Sequence, residues 1–249
     1  MDTKIDLLAM DFDGVIADSI MECAVAGYNA YSTYRGNANQ IITPNKINHR
    51  QLNLFKSTRP FIRSGEDYIY LFQAISEGIN IYSQEDFDRF KNRYIDRKDS
   101  YYQLFYSVRQ QLITSNFNEW INLNPLYDGM KQFLNTVSSK VHIISTKASK
   151  YIIAILSHYA INLKSENIHS TENGFSKSDI LLKIITENNF KAQNTVYIDD
   201  HLDTLLKMEK TNTNCLLATW GYNTKKQQDE YLNSSIKMVD LKQFYQMYG

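Results

Sequence analysis

Short apolar segments alternate with amphipathic helical segments after Pro125, and this alternation limits the possible folds more than any other feature of the chain. The apolar segments, including one near the amino terminus, are residues 5–12, 141–144, 195–198 and 215–218. The helical segments are residues 148–159, a stretch capped by Ser178 that runs through Ile185, and residues 203–209. Strands and helices in this order predict an α/β fold, with a parallel sheet that helices cover on both faces.

Residues 19–124 interrupt this pattern directly after the first predicted strand. Ser19 and Glu22 have the S-x-x-E spacing of a capping box, which predicts a helix that begins near Ile20. The remainder of the segment is mostly helical in pattern and contains enough large apolar side chains for a core of its own. We therefore predict two domains: an α/β core of residues 1–18 and 125–249, and a helical domain of residues 19–124.

Polar side chains follow three of the predicted strands, where ligands bind in parallel α/β sheets. Four carboxylates at one sheet edge would raise one another's pKa values, and a divalent cation relieves that repulsion. Carboxylate oxygens suit Mg²⁺, and no cluster of Cys and His suggests zinc. A metal with a lysine and hydroxyl groups describes a site for a phosphoryl group. The residues are Asp11 and Asp13 before Gly14, Ser145 and Thr146, Lys177, and Asp199 and Asp200.

One aspartate in such a site can act as a nucleophile and form an aspartyl-phosphate. The other lies two residues further along and, on an extended strand, would point to the same side, where it could donate and accept protons. Asp11 and Asp13 have this spacing.

Four segments resemble, in order, the four motifs of the haloacid dehalogenase superfamily. They are residues 11–19 (DFDGVIADS), residues 143–147 (IISTK), Lys177, and residues 197–200 (YIDD). Residues 125–129 and 219–222 also resemble the phosphoglycolate-phosphatase-like branch, so the resemblance covers roughly 1–34 and 125–224. It implies a Rossmann-like core, and the position of the insert implies a helical cap of the C1 type.

The resemblance also implies a role for each matched residue. Asp11 would be the nucleophile and a Mg²⁺ ligand, and Asp13 the general acid and base, with its backbone carbonyl on the metal. Ser145 and Lys177 would bind the transferring phosphoryl group, with Thr146 beside them.

The fourth motif leaves the identity of its metal ligand open. Asp199 or Asp200 would complete the metal site, and the apolar pattern of the following helix favours Asp200. A second acid often follows the ligand by four residues in the family. That position is Asp203 in one register and Thr204 in the other, and Asp203 could instead be a helix N-cap. His201 is a weaker candidate ligand, because Mg²⁺ prefers oxygen.

Arg59 and Arg63 are the most distinctive candidates in the insert. Cap loops select the substrate in related enzymes, and two arginines could grip an anionic part of it. The alternative is a solvated turn with local pairing between arginine and glutamate.

Composition excludes several other classes of protein. The 27 Lys and Arg balance 27 Asp and Glu, so no basic surplus indicates binding to nucleic acid or to an anionic membrane. No apolar run is long enough to span a membrane, and residues 1–4 do not begin a signal peptide. With only Cys23 and Cys215, both in apolar stretches, we expect a cytoplasmic protein without disulfides; its oligomeric state is not predicted.

These observations predict a Mg²⁺-dependent phosphomonoesterase that acts on a small phosphorylated metabolite. An acid at Asp13 argues against C–halogen cleavage, because the dehalogenases of the superfamily lack it. Two alternatives stay open at this point, a phosphoryl transferase or mutase on the same residues and a non-catalytic regulator that binds a phosphorylated metabolite. A metal nuclease is the weakest alternative, since the chain has no net positive charge.

Overall fold

The computed structural model of the chain describes residues 5–37, 39–230 and 234–249. Residues 1–4, for which the sequence predicted no signal peptide, lie outside the described part. The chain divides into two compact units. Met1–Asp18 and Pro125–Gly249 form the first, here the α/β unit, and Ser19–Asn124 form the second, here the helical unit.

Six parallel strands form one sheet in the α/β unit, in the order β3-β2-β1-β4-β5-β6. The strands are β1 (Leu7–Met10), β2 (Val141–Ser145), β3 (Ile168–Ser170), β4 (Thr195–Asp199), β5 (Asn214–Ala218) and β6 (Lys237–Val239). The predicted α/β fold with a parallel sheet is confirmed.

Twelve α-helices lie in the described residues, six in each unit. Those of the helical unit are α1 (Ile20–Tyr34), α2 (His49–Thr58), α3 (Gly65–Ser76), α4 (Gln84–Asn92), α5 (Lys98–Ser115) and α6 (Phe117–Asn122). Those of the α/β unit are α7 (Met130–Val137), α8 (Ser149–His158), α9 (Lys177–Glu187), α10 (Leu202–Met208), α11 (Lys225–Glu230) and α12 (Leu241–Tyr248).

The core of the α/β unit forms where apolar strand positions meet the apolar stripe of a helix. Ile180, Leu181 and Ile184 recur at helical spacing on α9 and are buried. They pack in one cluster with Leu7 of β1 and Leu217 of β5. This packing fixes α9, and with it the residue at its first position, against the sheet.

The helical unit has a separate core built on α1, α3 and α5 and rich in aromatic side chains. Phe55 stacks on Tyr68, whose ring also stacks on Phe105, with centroids 5.9 and 5.1 Å apart. Gly27 lets α1 approach α3 closely, because a Cβ at this position would lie 2.9 Å from the Cβ of Tyr68.

Among the residues that the structure describes, none of the helices combines the length and the apolar character that a membrane span requires.

The helix predicted to begin near Ile20 does begin there, but two predictions about helix caps are wrong and one alternative does not hold. Ser19 precedes α1 but makes no capping bond with its side chain, and Glu22 instead binds Arg109 and Trp120. Ser176, not Ser178, caps α9. Asp203 is not an N-cap, because it lies inside the first turn of α10. The prediction of a strand at residues 5–12 was too long, since β1 ends at Met10.

Candidate active site

The candidate site lies at the carboxyl ends of β1 and β4, neighbouring strands at which the order of the sheet reverses direction. The amide of Asp11 donates to the carbonyl of Ile198 at 2.9 Å, which continues the ladder between the two strands beyond Met10. Carboxylate oxygens of Asp11, Asp199 and Asp200 lie within 4.8 Å of one another, and all three residues are buried. The sheet therefore brings three of the four predicted acids together.

Lys177 is the cation at the centre of this cluster. Its Nζ lies 2.8 Å from Oδ2 of Asp11 and 2.8 Å from Oδ2 of Asp199. The lysine is the first residue of α9, whose start is fixed by a capping box between Ser176 and Asp179. A cation at a helix amino terminus is disfavoured by the helix dipole, so the two carboxylates are what stabilise it there.

Asp199 is fully enclosed, and both of its carboxylate oxygens accept hydrogen bonds. Oδ2 accepts from Lys177 at 2.8 Å and from the hydroxyl of Tyr197 at 2.7 Å, and Oδ1 accepts from the amide of His201 at 2.8 Å. These three donors hold Asp199 in a fixed position.

Asp200 contacts other segments of the chain, namely the turns after β1 and β5. Its Oδ2 accepts from the amide of Tyr222 at 2.6 Å, in the turn after β5. Gly14 and Gly221 pack directly against it: a Cβ on Gly14 would lie 2.2 Å from Oδ2, and one on Gly221 would lie 2.3 Å from the Cβ of Asp200. Gly14 also has a φ of +85°, a region that favours glycine. The two turns hold this carboxylate in one position.

Asp13 lies beyond the end of β1, where it forms an isolated β-bridge with Ala17, so it is not on the same strand as predicted from strand alternation. The amides of Ile16 and Ala17 both donate to the carbonyl of Phe12, which closes this turn. Oδ1 of Asp13 lies 3.1 Å from Nζ of Lys147, a buried lysine in the loop after β2. Sequence reasoning missed Lys147 as a site residue, although it lies within the second motif.

Ser145 is the last residue of β2, the neighbour of β1 on its other side, and Thr146 follows it. Ser145 is buried, and its hydroxyl accepts from the amide of Lys147 at 3.3 Å. The side chain of Thr146 is exposed. The two hydroxyls thus lie at the carboxyl end of the strand next to β1, with only Ser145 enclosed.

Burial and neighbouring charges shift the pKa values of Asp11 and Lys177. Burial raises the pKa of Asp11 to about 6 against the attraction of Lys177, and repulsion from Asp199 adds to the increase. Burial alone would lower the pKa of Lys177, but Asp11 and Asp199 outweigh it and raise that pKa. Burial, with the charge of Asp199, raises the pKa of Tyr197 well above its ordinary value, so its hydroxyl stays a donor. A divalent cation would stabilise the ionised form of Asp11.

Arg59 and Arg63 belong to the helical unit. Arg59 is buried rather than solvated, with its guanidinium 5.8 Å from the ring centroid of Tyr68. Nη1 of Arg63 donates to the carbonyls of Pro60 and Ile62 at 2.9 and 3.2 Å, within its own turn.

Comparison with known protein families provides the identification. The family model of the haloacid dehalogenase-like hydrolases matches residues 62–218, more than half of the 249 residues. The chain belongs to the haloacid dehalogenase-like hydrolases. The match includes the second, third and fourth motifs with Ser145, Lys177 and Asp200, and the first motif, with Asp11 and Asp13, precedes the matched residues.

Solved structures with the same fold cover nearly the whole chain. A predicted phosphatase from Clostridium acetobutylicum has a TM-score of 0.64 at 12% identity and covers 97% of both chains. A haloacid dehalogenase-like family hydrolase from Streptococcus pneumoniae has a TM-score of 0.59 at 15% identity, covering 97% of this chain and 96% of that one. A predicted phosphoglycolate phosphatase from Haemophilus somnus has a TM-score of 0.59 at 13% identity and covers 89% and 88%. No curated protein sequence matches the chain.

The family resemblance and the fold predicted from the four motifs are confirmed. The chain is an enzyme of a hydrolase family, and structures that share its fold include proteins described as phosphatases.

Proposed function

We propose that this hydrolase is a Mg²⁺-dependent phosphomonoesterase that works through an aspartyl-phosphate on Asp11. The observation that carries the proposal is the placement of Lys177 between the carboxylates of Asp11 and Asp199, 2.8 Å from each, with Asp200 in the same cluster. A nucleophilic carboxylate beside a fixed cation and a group of oxygen ligands matches the requirements of phosphoryl transfer.

The three clustered carboxylates fit a hard divalent cation, because they are oxygen donors gathered within 4.8 Å of one another. Asp11, Asp200 and the backbone carbonyl of Asp13 would hold the ion, and Asp199 would hold Lys177 instead, since three donors already occupy its oxygens. When bound, Mg²⁺ would neutralise charge on the phosphoryl oxygens and orient them toward Asp11.

The reaction divides into two steps at Asp11. In the first, a carboxylate oxygen of Asp11 forms a bond to phosphorus while the ester bond breaks, and Asp13 gives its proton to the departing alcohol. In the second, water loses a proton to Asp13 and attacks phosphorus, which releases inorganic phosphate and restores the carboxylate of Asp11. Lys177 offsets the negative charge of the transferring group, and the hydroxyl of Ser145 donates a hydrogen bond to it.

The proposed substrate class is a small phosphorylated metabolite. A predicted phosphoglycolate phosphatase among the structural relatives makes phosphoglycolate a sensible member of a screen, together with sugar phosphates and nucleoside monophosphates. Arg59 and Arg63 remain candidates for contacts with the rest of the substrate. Release of one phosphate for each substrate consumed distinguishes a phosphatase from a phosphoryl transferase or mutase.

Replacement of the nucleophile tests the proposal. We expect Asp11→Asn to lower kcat by at least about a thousandfold in a Mg²⁺-supported assay of phosphate release, because the attacking oxygen is lost. Acid-quenched wild-type enzyme should carry phosphate on the peptide that contains Asp11, and the variant should not.

A matched control is Asp229→Asn on α11, which removes one negative charge from a half-exposed side chain outside the site. It should keep wild-type turnover. Wild-type rates in Asp11→Asn, or phosphate trapped on another residue, would contradict the mechanism.

A further inference from the structure

Lys147 has no assigned role in the chemistry above, yet it is the second lysine in contact with a site aspartate. Its Nζ lies 3.1 Å from Oδ1 of Asp13, the group proposed as general acid and base. The side chain of Lys147 is 0% exposed and that of Asp13 is 18% exposed. Enclosing an ammonium group costs free energy unless it is well paired, so this contact requires a positive reason for its presence.

The surroundings of Lys147 fix its position from two sides. Its amide donates to the hydroxyl of Ser145 at 3.3 Å, which sets the path of the loop after β2. Its Nζ lies 5.9 Å from the ring centroid of Phe12, a fully buried residue between the two site aspartates. The lysine is therefore placed by the same two segments that carry the second and first motifs.

The two lysines of the site have separate partners. Lys177 lies between Asp11 and Asp199, whereas Lys147 contacts Asp13. One cation thus accompanies the proposed nucleophile and the other accompanies the proposed acid and base.

We propose that Lys147 is a positioning residue for Asp13, an inference that rests on the proposed function. Its ammonium occupies Oδ1 and restrains rotation of the carboxylate about χ2, an angle that is otherwise broad for aspartate. Proton transfer is then assigned to Oδ2, which is kept aimed at the oxygen of the leaving group. Without Lys147 the carboxylate turns away for part of the time, and a small misplacement of a catalytic group lowers the rate steeply.

The dependence of the rate on the leaving group tests this inference. In a two-step mechanism kcat/KM reports the first step, in which Asp13 protonates the departing alcohol. We expect Lys147→Met to lower kcat/KM by about 10–100-fold for alkyl phosphates, which need that proton, and by less than about threefold for p-nitrophenyl phosphate. Asp13→Asn should show the same selectivity for poor leaving groups.

A double-mutant cycle separates positioning from a structural role. If Lys147 acts through Asp13, the variant Asp13→Asn/Lys147→Met should be no slower on alkyl phosphates than Asp13→Asn alone. Lys147→Arg keeps the charge with a different shape, so we expect a smaller loss, again confined to poor leaving groups. Lys147→Arg therefore serves as the test if Lys147→Met does not fold. Lys150→Met, on an exposed lysine of α8, is the matched control and should match the wild-type enzyme.

Three results would overturn the inference. They are equal losses on all esters, additive losses in the double variant, and no loss in Lys147→Met. A wild-type chain that hydrolyses none of the esters would instead reject the proposed function, and the inference with it. Circular dichroism melting curves of each variant show whether a uniform loss reflects a damaged fold.

Discussion

At the scale of single residues, Asp199 and Asp200 are adjacent in the chain but have different partners. Asp199 accepts three hydrogen bonds, one of them from Lys177, whereas Asp200 accepts from the amide of Tyr222 between two closely packed glycines. The carboxylate of Asp199 fixes a cationic side chain, and that of Asp200 accepts a hydrogen bond from a backbone amide. This difference gives the two acids separable roles.

Replacing each acid by its amide distinguishes these roles. We expect Asp200→Asn to raise the Mg²⁺ concentration needed for half-maximal activity by about 10–100-fold or more, because a proposed ligand loses its charge. Asp199→Asn should leave that concentration nearly unchanged and lower kcat/KM by about tenfold or more, because Lys177 loses a charged hydrogen bond. Titration of activity with Mg²⁺ measures both effects. If Asp199→Asn raised the required Mg²⁺ concentration and Asp200→Asn did not, Asp199 would be the ligand.

Sequence reasoning proposed most residues of the candidate site because strand ends are marked by the change from apolar to acidic residues. It could not locate the contact between Lys147 and Asp13, since the two lie in different loops that only the sheet brings together. It could not separate Asp199 from Asp200 either. Their difference arises from Lys177 beside Asp199 and Gly221 beside Asp200, which are tertiary neighbours.

At the scale of secondary-structure elements, β2 and β3 are joined by a pair of histidines on the sheet face that carries α9. Nδ1 of His142 lies 3.0 Å from Nε2 of His169, and the two rings are inclined by only 5°. Such a bond requires one nitrogen without a proton. Burial, then the charge of His169, lowers the pKa of His142 to about 4, and Glu166 opposes that shift. Burial and the charge of Lys183 lower the pKa of His169, and the charge of Glu187 opposes that decrease.

The histidine pair predicts a stability that decreases in acid. The unfolded chain binds protons on His142 near pH 6.5, and the folded chain only near pH 4, so stability is complete above 6.5 and is lost between these values. The full shift corresponds to about 3 kcal/mol, and partial solvent exposure reduces this to about 1–2 kcal/mol.

Urea unfolding at pH 7 and pH 4.5 measures this loss. The double variant His142→Asn/His169→Asn should lose less stability between the two pH values than the wild-type protein does. His158→Gln removes an exposed histidine on α8 and should behave as wild type. A loss of equal size in the double variant would assign the acid sensitivity to other groups, such as the carboxylates.

Some of the strands and helix caps could be predicted from the sequence, and others could not. Strands β2, β4 and β5 have five residues each and continuous apolar runs, which the sequence made visible. β3 and β6 have only three residues each, with one buried residue, so they carry too little pattern. The capping error at α9 came from choosing Ser178, although Ser176 is the serine with an acid three residues later.

At the scale of the whole molecule, each unit has its own hydrophobic core and its own tryptophan. Trp120 is fully buried in the helical unit and donates to Glu22. Trp220 is in the α/β unit and donates to the carbonyl of Val15 at 3.1 Å. These are the only two tryptophans of the chain, so their fluorescence reports the two units separately. Units with separate cores are expected to depart from a single two-state unfolding transition.

This arrangement makes metal binding measurable without any assay of activity. The acid cluster lies in the α/β unit, and a ligand that binds only the folded form stabilises that form. At a Mg²⁺ concentration a hundred times Kd the gain is about 2.7 kcal/mol, which raises Tm by roughly 5–11 °C for a unit of this size. We expect this increase in Trp120→Phe, where Trp220 reports, and little change in Trp220→Phe, where Trp120 reports.

Two controls connect the shift to the proposed ligands. The double variant Trp120→Phe/Asp200→Asn should show no Mg²⁺-dependent increase in Tm. The substitution removes the charge of a proposed ligand and so weakens binding of the ion. Excess EDTA should return the Tm of Trp120→Phe, in which the acid cluster is intact, to its value without metal. An equal increase at both tryptophans would show that the chain unfolds as one cooperative body. An increase that survives Asp200→Asn would place the cation away from the cluster of Asp11, Asp199 and Asp200.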